Sequence, residues 1–267
     1  MLSKLLTRSV QILSIFSLSF TASGQQLVTG EVQVRDYHFD LTDEEIEYRL
    51  YVPTSYRVDT VSPLIVLLHG MGGSPRVIEY DGIIEEAEQR GYIVVAPYGY
   101  NERGWYGVFG PGRSFFNDGP EGPAPDNIGL LSETDVINVF EIIREEFNID
   151  RKRTYLMGHS MGGGGTMYLG GKYSQYWAAL GLMAPALFGK TDQLEAIKHI
   201  PIFIAQGDAD EVISVELARR WVARMEELEM VHAYVEIAGG DHNEAISSNA
   251  PLISEIFDFF DSNFTEF

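Results

Sequence analysis

The chain of 267 residues contains no cysteine, so no disulfide bond and no lipid-attachment cysteine can contribute to its structure. A hydrophobic core must therefore stabilise the fold unaided, and this length is ample for one α/β domain. Positive charge is also scarce, since 19 Lys and Arg stand against 39 Asp and Glu for a formal net charge of −20. Such an acidic surface disfavours nucleic acid as a partner and favours solubility.

The N-terminal segment has the pattern of a secretory signal peptide. Lys4 and Arg8 form a basic start, residues 10–20 are mostly apolar, and small residues follow up to Gly24. The alternative is a membrane anchor, but the apolar run is short and rich in serine for a bilayer span. We therefore predict a signal peptide over 1–24 and a secreted or periplasmic domain over 25–267, without stable membrane association.

The rest of the sequence alternates strand-like and helix-like segments. Helical periodicity follows Ser132, a predicted N-cap, and recurs from Leu217 to Leu228. Alternating elements without a repeat or linker predict a single α/β domain with a mostly parallel eight-stranded sheet flanked by helices. The predicted strands are 32–39, 46–52, 64–68, 92–96, 154–157, 178–183, 202–205 and 233–237.

Two connections bear on the site. Residues 97–130 form a long segment rich in Gly, Pro and aromatic residues, and long loops of this kind are often functional. Within it Trp105 and Tyr106 are candidate substrate-binding residues, although the rings could equally pack the loop onto the core. Residues 185–200 leave room for one brief helix, so no lid domain is expected.

The motif Gly158-His159-Ser160-Met161-Gly162 follows a predicted strand and precedes a helix-compatible stretch. This is the G-x-S-x-G nucleophile elbow in its strand–turn–helix setting, and it makes Ser160 the candidate nucleophile. The glycines at 163–165 destabilise a helix, which predicts close backbone packing there. A phosphate-binding loop is the weaker alternative, because no G-K-[ST] follows.

An elbow serine needs a base, and three histidines lie downstream of it. His242 lies in a glycine-rich loop after the last predicted strand, where an imidazole can project over the sheet edge. His199 and His232 are better interpreted as structural or exposed residues. His242 is therefore the candidate base.

The acid should follow the strand 202–205, where Asp208, Asp210 and Glu211 are available. We favour Asp210 and interpret Asp208 as a turn residue that bonds its own backbone. A solvated turn or a cation site is the alternative, but a Ca²⁺ loop would need more ligands. No metal and no organic cofactor are expected.

A tetrahedral oxyanion must be met by backbone N–H donors. One donor is expected from Met161, directly after the candidate nucleophile, and the other from the loop after strand 64–68. Met71 is the candidate in that loop, with Gly72 second. His69 is expected to brace the loop, and His159 to form part of the elbow wall.

With these motifs, the sequence resembles the α/β-hydrolases of the esterase D, feruloyl esterase and polyhydroxybutyrate-depolymerase-like branch. The resemblance implies a carboxylic ester hydrolase with Ser160, Asp210 and His242 as nucleophile, acid and base. Members commonly have His-Gly where this chain has Gln206-Gly207, a departure expected to leave the chemistry unchanged. The motifs that carry the resemblance are His69-Gly70-Met71-Gly72-Gly73, Gly158-His159-Ser160-Met161-Gly162, Gly207-Asp208-Ala209-Asp210-Glu211-Val212 and Gly240-Asp241-His242.

These observations predict a secreted serine hydrolase that cleaves small-molecule or polymer-linked carboxylic esters, with acyl or feruloyl esters of polysaccharides among the candidates. A lipase, a polyester hydrolase or a serine peptidase could use the same three residues. The run from Ser160 to Thr166 also resembles the elbow of cutinase-like polyester hydrolases. A non-catalytic secreted binding protein is the alternative outside enzymes, although a binder would not need all three residues.

Overall fold

Eight strands of the described chain form one sheet. The computed structural model describes residues 27–112, 118–119 and 122–265, so the predicted signal segment 1–24 lies outside the described residues. The sheet strands are β1 Val32–Phe39, β2 Glu44–Tyr51, β3 Ser62–Leu68, β4 Ile93–Pro97, β7 Ile149–His159, β8 Ala179–Met183, β9 Ile202–Gly207 and β10 His232–Ile237. Their order in the sheet is β1-β2-β4-β3-β7-β8-β9-β10. A small separate hairpin pairs β5 Asp118–Gly119 with β6 Gly122–Pro123.

The sheet is antiparallel only at one edge, where β1 pairs with β2 and β2 pairs with β4. From β4 through β10 every pairing is parallel. The central strands are unbroken apolar runs, and all residues of β3, β4 and β8 are buried, as expected where helices cover both faces. The prediction of a mostly parallel eight-stranded α/β-hydrolase sheet is confirmed, with ends shifted by a few residues.

Helices cover both faces of the sheet. Leu64 and Val66 of β3 point into a core shared with α2, α3 and α4, whereas Ile65 and Leu67 point to the other face, against α1 and α6. This alternation follows from the two-residue period of a strand. The helices are α1 Ile83–Arg90, α2 Ile128–Glu146, α3 Met161–Lys172, α4 Val215–Glu227, α5 Glu244–Ser247 and α6 Ala250–Ser262, with 3₁₀ turns at Pro75–Glu79, Trp105–Gly107 and Thr191–Ile197.

The predicted N-cap at Ser132 is wrong. Helix α2 begins four residues earlier, at Ile128, with Asn127 in the cap position. Ser132 is buried inside the helix, and its Oγ accepts a hydrogen bond of 2.9 Å from the N–H of Tyr106. The hydroxyl therefore holds a distant loop rather than the end of its own helix.

The connection between β8 and β9 is short and fully described. Its one regular element is the 3₁₀ turn Thr191–Ile197, so this connection carries no lid domain. In the described ranges, none of the helices combines the length and the apolar character that a membrane span requires.

Candidate active site

Ser160 occupies a strained turn between β7 and α3. Its backbone has φ 56° and ψ −115°, a region that costs a non-glycine residue on the order of 1–3 kcal/mol. Three hydrogen bonds hold the turn: the N–H of Ser160 donates to the Met183 carbonyl at 2.8 Å, and its own carbonyl accepts from Gly164 at 3.0 Å and Ala186 at 2.9 Å. These hydrogen bonds to the neighbouring elements hold Ser160 in its strained backbone conformation.

Glycine is required on both sides of this turn by close backbone contacts. A Cβ atom at Gly158 would lie 2.4 Å from the carbonyl oxygen of Gly162, and one at Gly162 would lie 2.3 Å from the carbonyl oxygen of Leu68. Both contacts are with backbone atoms, which cannot move aside as a flexible side chain can. The start of α3 therefore packs directly on β3 and β7, as the glycine-rich sequence predicted.

Three side chains meet at the carboxyl edge of the sheet. The Oγ of Ser160 lies 2.8 Å from the Nε2 of His242, and the Nδ1 of His242 lies 2.7 Å from the Oδ2 of Asp210. Ser160 follows β7, Asp210 follows β9 and His242 follows β10. The structure thus brings together the three residues that the sequence analysis selected separately.

Four donors surround the carboxylate of Asp210. Its Oδ1 accepts the N–H groups of Val212 and Ile213, both at 2.8 Å, and its Oδ2 accepts from His242 and from the Nε2 of Gln206 at 2.8 Å. Burial alone would raise the pKa of Asp210, but the hydrogen bonds from Ile213, His242 and Val212 outweigh it and leave the pKa below its ordinary value. Asp210 is therefore an anion at neutral pH.

Asp208 connects the loops that carry Asp210 and His242. Its Oδ1 accepts the N–H of Gly239 at 2.6 Å, and the N–H of Ala209 donates to the Gly240 carbonyl at 3.0 Å. The prediction that Asp208 bonds its own backbone is therefore corrected, because the two loops lie close enough for a bond between them. Among the described residues, no group of three His, Asp or Glu side chains is placed to hold a metal ion.

His159, beside Ser160, contacts the loop of the candidate base. Its Nε2 lies 2.9 Å from the carbonyl oxygen of His242, and its Nδ1 lies 2.9 Å from the Tyr80 hydroxyl. A carbonyl oxygen only accepts, so Nε2 carries the proton and Nδ1 accepts from Tyr80. Burial lowers the pKa of His159 to about 4, which keeps the ring neutral near pH 7.

The loop after β3 forms a tight turn next to Ser160. The N–H of Gly73 donates to the Gly70 carbonyl at 3.0 Å and Gly72 has φ +72°, which is the pattern of a type II turn. A Cβ atom at Gly70 would lie 3.4 Å from the Cβ of Ser160.

Within the described chain no backbone acceptor takes the N–H of Met71. Met161 is the first residue of α3, so its N–H has no partner in the helix ladder.

His69 braces this loop, as the sequence analysis expected. The ring is buried, and its nitrogens lie 2.8 Å from the Tyr98 carbonyl oxygen and 2.7 Å from the Gly70 carbonyl oxygen. Burial also lowers the pKa of His69, and because both ring nitrogens face these carbonyl oxygens, neither is placed to act as the base for Ser160.

An open cleft of about 470 Å³ lies over Ser160 and His242. Its rim is chemically mixed. Met71 and Val212 present apolar side chains that are 49% and 65% exposed, while Ser74, Arg76 and Asn243 supply polar groups. The cleft can therefore receive a substrate with both an apolar part and a polar part.

Trp105 and Tyr106 do not line this cleft, which corrects their prediction as substrate-binding residues. Both are buried, and Tyr106 is completely inaccessible. The Tyr106 hydroxyl donates to the His69 carbonyl at 3.0 Å, and the Trp105 ring packs on Phe109 and Phe188. The aromatic rings hold the long loop on the core, which is the alternative that the sequence left open.

Asp135 of α2 anchors the start of that loop, and the sequence analysis did not single it out. The side chain is fully buried, and its Oδ2 accepts the N–H groups of Gly99 at 2.6 Å and Tyr100 at 3.0 Å. The Tyr37 hydroxyl donates to Oδ1 at 2.6 Å. Burial raises the pKa of Asp135 to about 6 despite these three donors.

Comparison with known proteins assigns the family. The model of the Esterase family matches residues 40–246, and the chain therefore belongs to that family. A curated relative, the bifunctional acetylxylan esterase/xylanase XynS20E of Neocallimastix patriciarum, is 28% identical over 172 residues. That alignment covers 64% of this chain but only 22% of the relative, so the chain spans about a fifth of that protein.

Solved structures with the same fold include several esterases. A thermostable esterase superposes with a TM-score of 0.66 at 24% identity, covering 88% of this chain and 63% of the other. The CE1 ferulic acid esterase AmCE1/Fae1A of Anaeromyces mucronatus, solved with ferulic acid, gives 0.65 at 19% identity over 91% of this chain and 94% of the other. These likenesses confirm the predicted α/β-hydrolase fold. Membership of the Esterase family agrees with the predicted class, a carboxylic ester hydrolase.

Proposed function

We propose that this Esterase-family protein is a serine hydrolase in which Ser160, His242 and Asp210 cleave carboxylic esters through an acyl-enzyme. One observation carries the proposal: an unbroken chain of hydrogen bonds runs from the Oγ of Ser160 through both ring nitrogens of His242 to Asp210. A hydroxyl, a base and an orienting acid in this arrangement are what nucleophilic catalysis by serine needs.

The reaction proceeds in two acyl transfers. The Oγ of Ser160 attacks the ester carbonyl carbon while His242 takes its proton, and anionic Asp210 stabilises the imidazolium that forms. The tetrahedral intermediate collapses as the bond to the alcohol oxygen breaks and His242 donates the proton to that oxygen. Water then attacks the acyl-enzyme by the same steps and releases the acid.

The oxyanion of each intermediate is stabilised by the backbone N–H groups of Met71 and Met161. Both donors lie next to Ser160, and neither is used elsewhere in the secondary structure. A donor aimed at the developing charge contributes on the order of 10²- to 10³-fold to kcat. Because both are backbone groups, they need no reorganisation during the reaction.

The proposed substrates are acyl or feruloyl esters carried on polysaccharides. The proposed enzyme is a single domain over residues 25–267, which is exported by means of a signal peptide over residues 1–24. The open cleft and the short β8–β9 connection leave room for a bulky alcohol component. The rim of Met71 and Val212 beside Ser74, Arg76 and Asn243 suits an apolar acyl group next to a hydroxylated one. The relative XynS20E, named as an acetylxylan esterase, supports the same substrate class.

Other hydrolases that use the same three residues fit less well. A lipase is expected to present an apolar lid and a peptidase of this fold a further domain over the cleft, and the described β8–β9 connection holds neither. A polyester hydrolase shares the open cleft and remains the second candidate. A binding protein would have no use for a hydroxyl held 2.8 Å from an imidazole.

Fluorophosphonate labelling together with an ester panel tests the proposal. We expect wild-type protein to be labelled at Ser160 and to cleave p-nitrophenyl acetate, and Ser160→Ala to lose both properties. Ser262→Ala, an exposed serine at the end of α6, is the matched control and should behave as wild type. Labelling that persists in Ser160→Ala would contradict the proposal.

The panel extends to p-nitrophenyl octanoate, methyl ferulate, acetylated xylan and a polyester film. Preference for short acyl chains with activity on methyl ferulate or acetylated xylan supports the carbohydrate-ester assignment. Activity confined to long chains indicates a lipase, and release of monomer from the film indicates a polyester hydrolase.

A further inference from the structure

Gln206 is a fully buried amide at the end of β9, four residues before Asp210. Its Nε2 lies 2.8 Å from the Oδ2 of Asp210 and 3.2 Å from the carbonyl oxygen of Ile213. The amide therefore contacts the carboxylate of the acid and the backbone of the loop that carries it.

The orientation of this amide follows from its neighbours. The carboxylate of Asp210 and the carbonyl of Ile213 only accept hydrogen bonds, so Gln206 must present its NH₂ group to them. A reversed amide would place Oε1 against two other oxygens. In the native orientation the buried Oε1 has no hydrogen-bond donor among the described residues. An unpaired buried acceptor destabilises a fold, so the contribution of this side chain lies in its two N–H bonds.

Those bonds complete the set that holds Asp210. The backbone N–H groups of Val212 and Ile213 fix Oδ1, whereas in the described part of the chain Oδ2 accepts only from His242 and Gln206. Without Gln206, Oδ2 would be held by His242 alone, and His242 is the very group whose orientation Asp210 must set. Gln206 is a second donor to Oδ2, and its position does not depend on the orientation of the imidazole.

The amide of Gln206 is uncharged, and this preserves the interaction between the negative charge of Asp210 and His242. A cationic donor at this position would offset the charge of Asp210 and weaken its stabilisation of the imidazolium, whereas a carboxylate would repel it. An uncharged N–H donor fixes the oxygen and leaves the negative charge of Asp210 available to His242. Glutamine meets both conditions at this buried position.

We propose that Gln206 is a positioning residue for the reaction, one that orients Asp210 and through it His242; this rests on the proposed function of the three residues. From the sequence we expected the departure from His-Gly to Gln206-Gly207 to leave the chemistry unchanged, and no role was assigned to Gln206 itself; the contact with Asp210 supplies one. Gln206 does not touch the reacting atoms, so its effect is on the rate of the chemical step rather than on substrate binding.

The test compares Gln206→Met with wild type. Methionine has a similar shape and no donor, so kcat should fall about tenfold or more while KM stays within about twofold. The melting temperature should fall by a few degrees at most, because the loss of two N–H bonds to buried acceptors is partly offset by the removal of the unpaired Oε1. Gln175→Met, an exposed glutamine far from the cleft, is the matched control and should change none of these values.

Two further measurements keep the outcome unambiguous. Gln206→His offers a neutral N–H donor and should recover part of the lost kcat. The low-field proton NMR signal of the His242 Nδ1–H should broaden or exchange faster in Gln206→Met, a readout that needs no substrate. If Gln206→Met keeps wild-type kcat, or if it loses kcat together with a large fall in melting temperature and Gln206→His restores neither, the inference is overturned. If wild type itself cleaves no ester, or Ser160→Ala still does, it is the proposed function that fails.

Discussion

At the scale of single residues, the site depends on side chains whose protonation is set by their surroundings. Asp210 is kept anionic by four hydrogen-bond donors, and buried His159 is kept neutral, with its pKa lowered to about 4. A neutral His159 next to His242 adds no competing positive charge when the imidazolium forms. The candidate base therefore has an anion at one ring nitrogen and an uncharged ring as its neighbour.

The Tyr80 hydroxyl should affect kcat through its hydrogen bond to His159. In Tyr80→Phe the Nδ1 of His159 loses its donor, so the tautomer that bonds the His242 carbonyl is no longer enforced. One hydrogen bond of this kind contributes about 0.5–1.5 kcal/mol, so kcat should fall about three- to tenfold. Steady-state kinetics on p-nitrophenyl acetate measures the effect.

Tyr234→Phe, which removes a hydroxyl bonded to Glu236 on β10, is the matched control and should leave kcat unchanged. A rise in KM alone in Tyr80→Phe would show that the hydroxyl contacts substrate rather than holding His159, and would count against this explanation.

Sequence reasoning succeeded where a residue type and its place in the chain order suffice. Ser160, Asp210 and His242 were selected in this way, and the structure brings them within hydrogen-bond distance. The roles of Gln206 and Tyr80 could not be predicted, because each depends on a contact that no motif encodes. The Tyr80 contact with His159, for example, joins positions 79 residues apart.

At the scale of elements, α2 organises the long loop beside the site. Asp135 and Ser132 of α2 accept N–H groups from Gly99, Tyr100 and Tyr106, and the Tyr106 hydroxyl then holds the His69 carbonyl. A continuous path of hydrogen bonds thus leads from the helix to the loop that carries Met71. The aromatic content of the loop suggested a substrate wall, but these rings form its attachment to the core.

The buried carboxyl of Asp135 should make stability depend on pH. Its ordinary pKa is 3.8, whereas in the fold it keeps its proton up to about pH 6. Between these values the folded state holds more protons, so the stability contributed by Asp135 falls as pH rises. The change amounts to roughly 3 kcal/mol in the free energy of unfolding.

Asp135→Asn should remove this dependence. The difference in free energy of unfolding between wild type and variant, from urea titrations at pH 4.5 and pH 7, should shift in favour of the variant at pH 7. Asp59→Asn, an exposed position, controls for the charge change. A difference that does not vary with pH would mean that Asp135 ionises in the fold as it does in the unfolded chain.

The strands were predicted more accurately than the helix ends. All eight predicted segments appear in the sheet, because buried parallel strands are continuous apolar runs bounded by polar residues. The start of α2 was misplaced because Ser132 looks like a cap in sequence, although in the structure its hydroxyl bonds Tyr106. Tertiary contacts override local preference at such positions.

At the scale of the whole molecule, two properties bear on stability. The chain has no cysteine and therefore no disulfide bonds, and its formal net charge is −20. Its stability comes from two buried clusters on opposite faces of the sheet, while the surface charges repel one another. Because salt screens this repulsion, the melting temperature should rise by a few degrees between about 10 mM and 150 mM NaCl. Scanning calorimetry with sucrose at equal osmolarity as the control measures this, and a melting temperature that falls with salt would show that attractive ion pairs dominate instead.

The central claim is that Ser160 forms the acyl-enzyme with His242 as its base. Rapid-quench mass spectrometry after mixing with p-nitrophenyl acetate tests it most directly. We expect an acetyl adduct that appears in the first turnover on the peptide containing Ser160, builds up far more slowly in His242→Ala, and is absent from Ser160→Ala. An adduct on another residue, or ester cleavage at wild-type rate without any adduct, would contradict it.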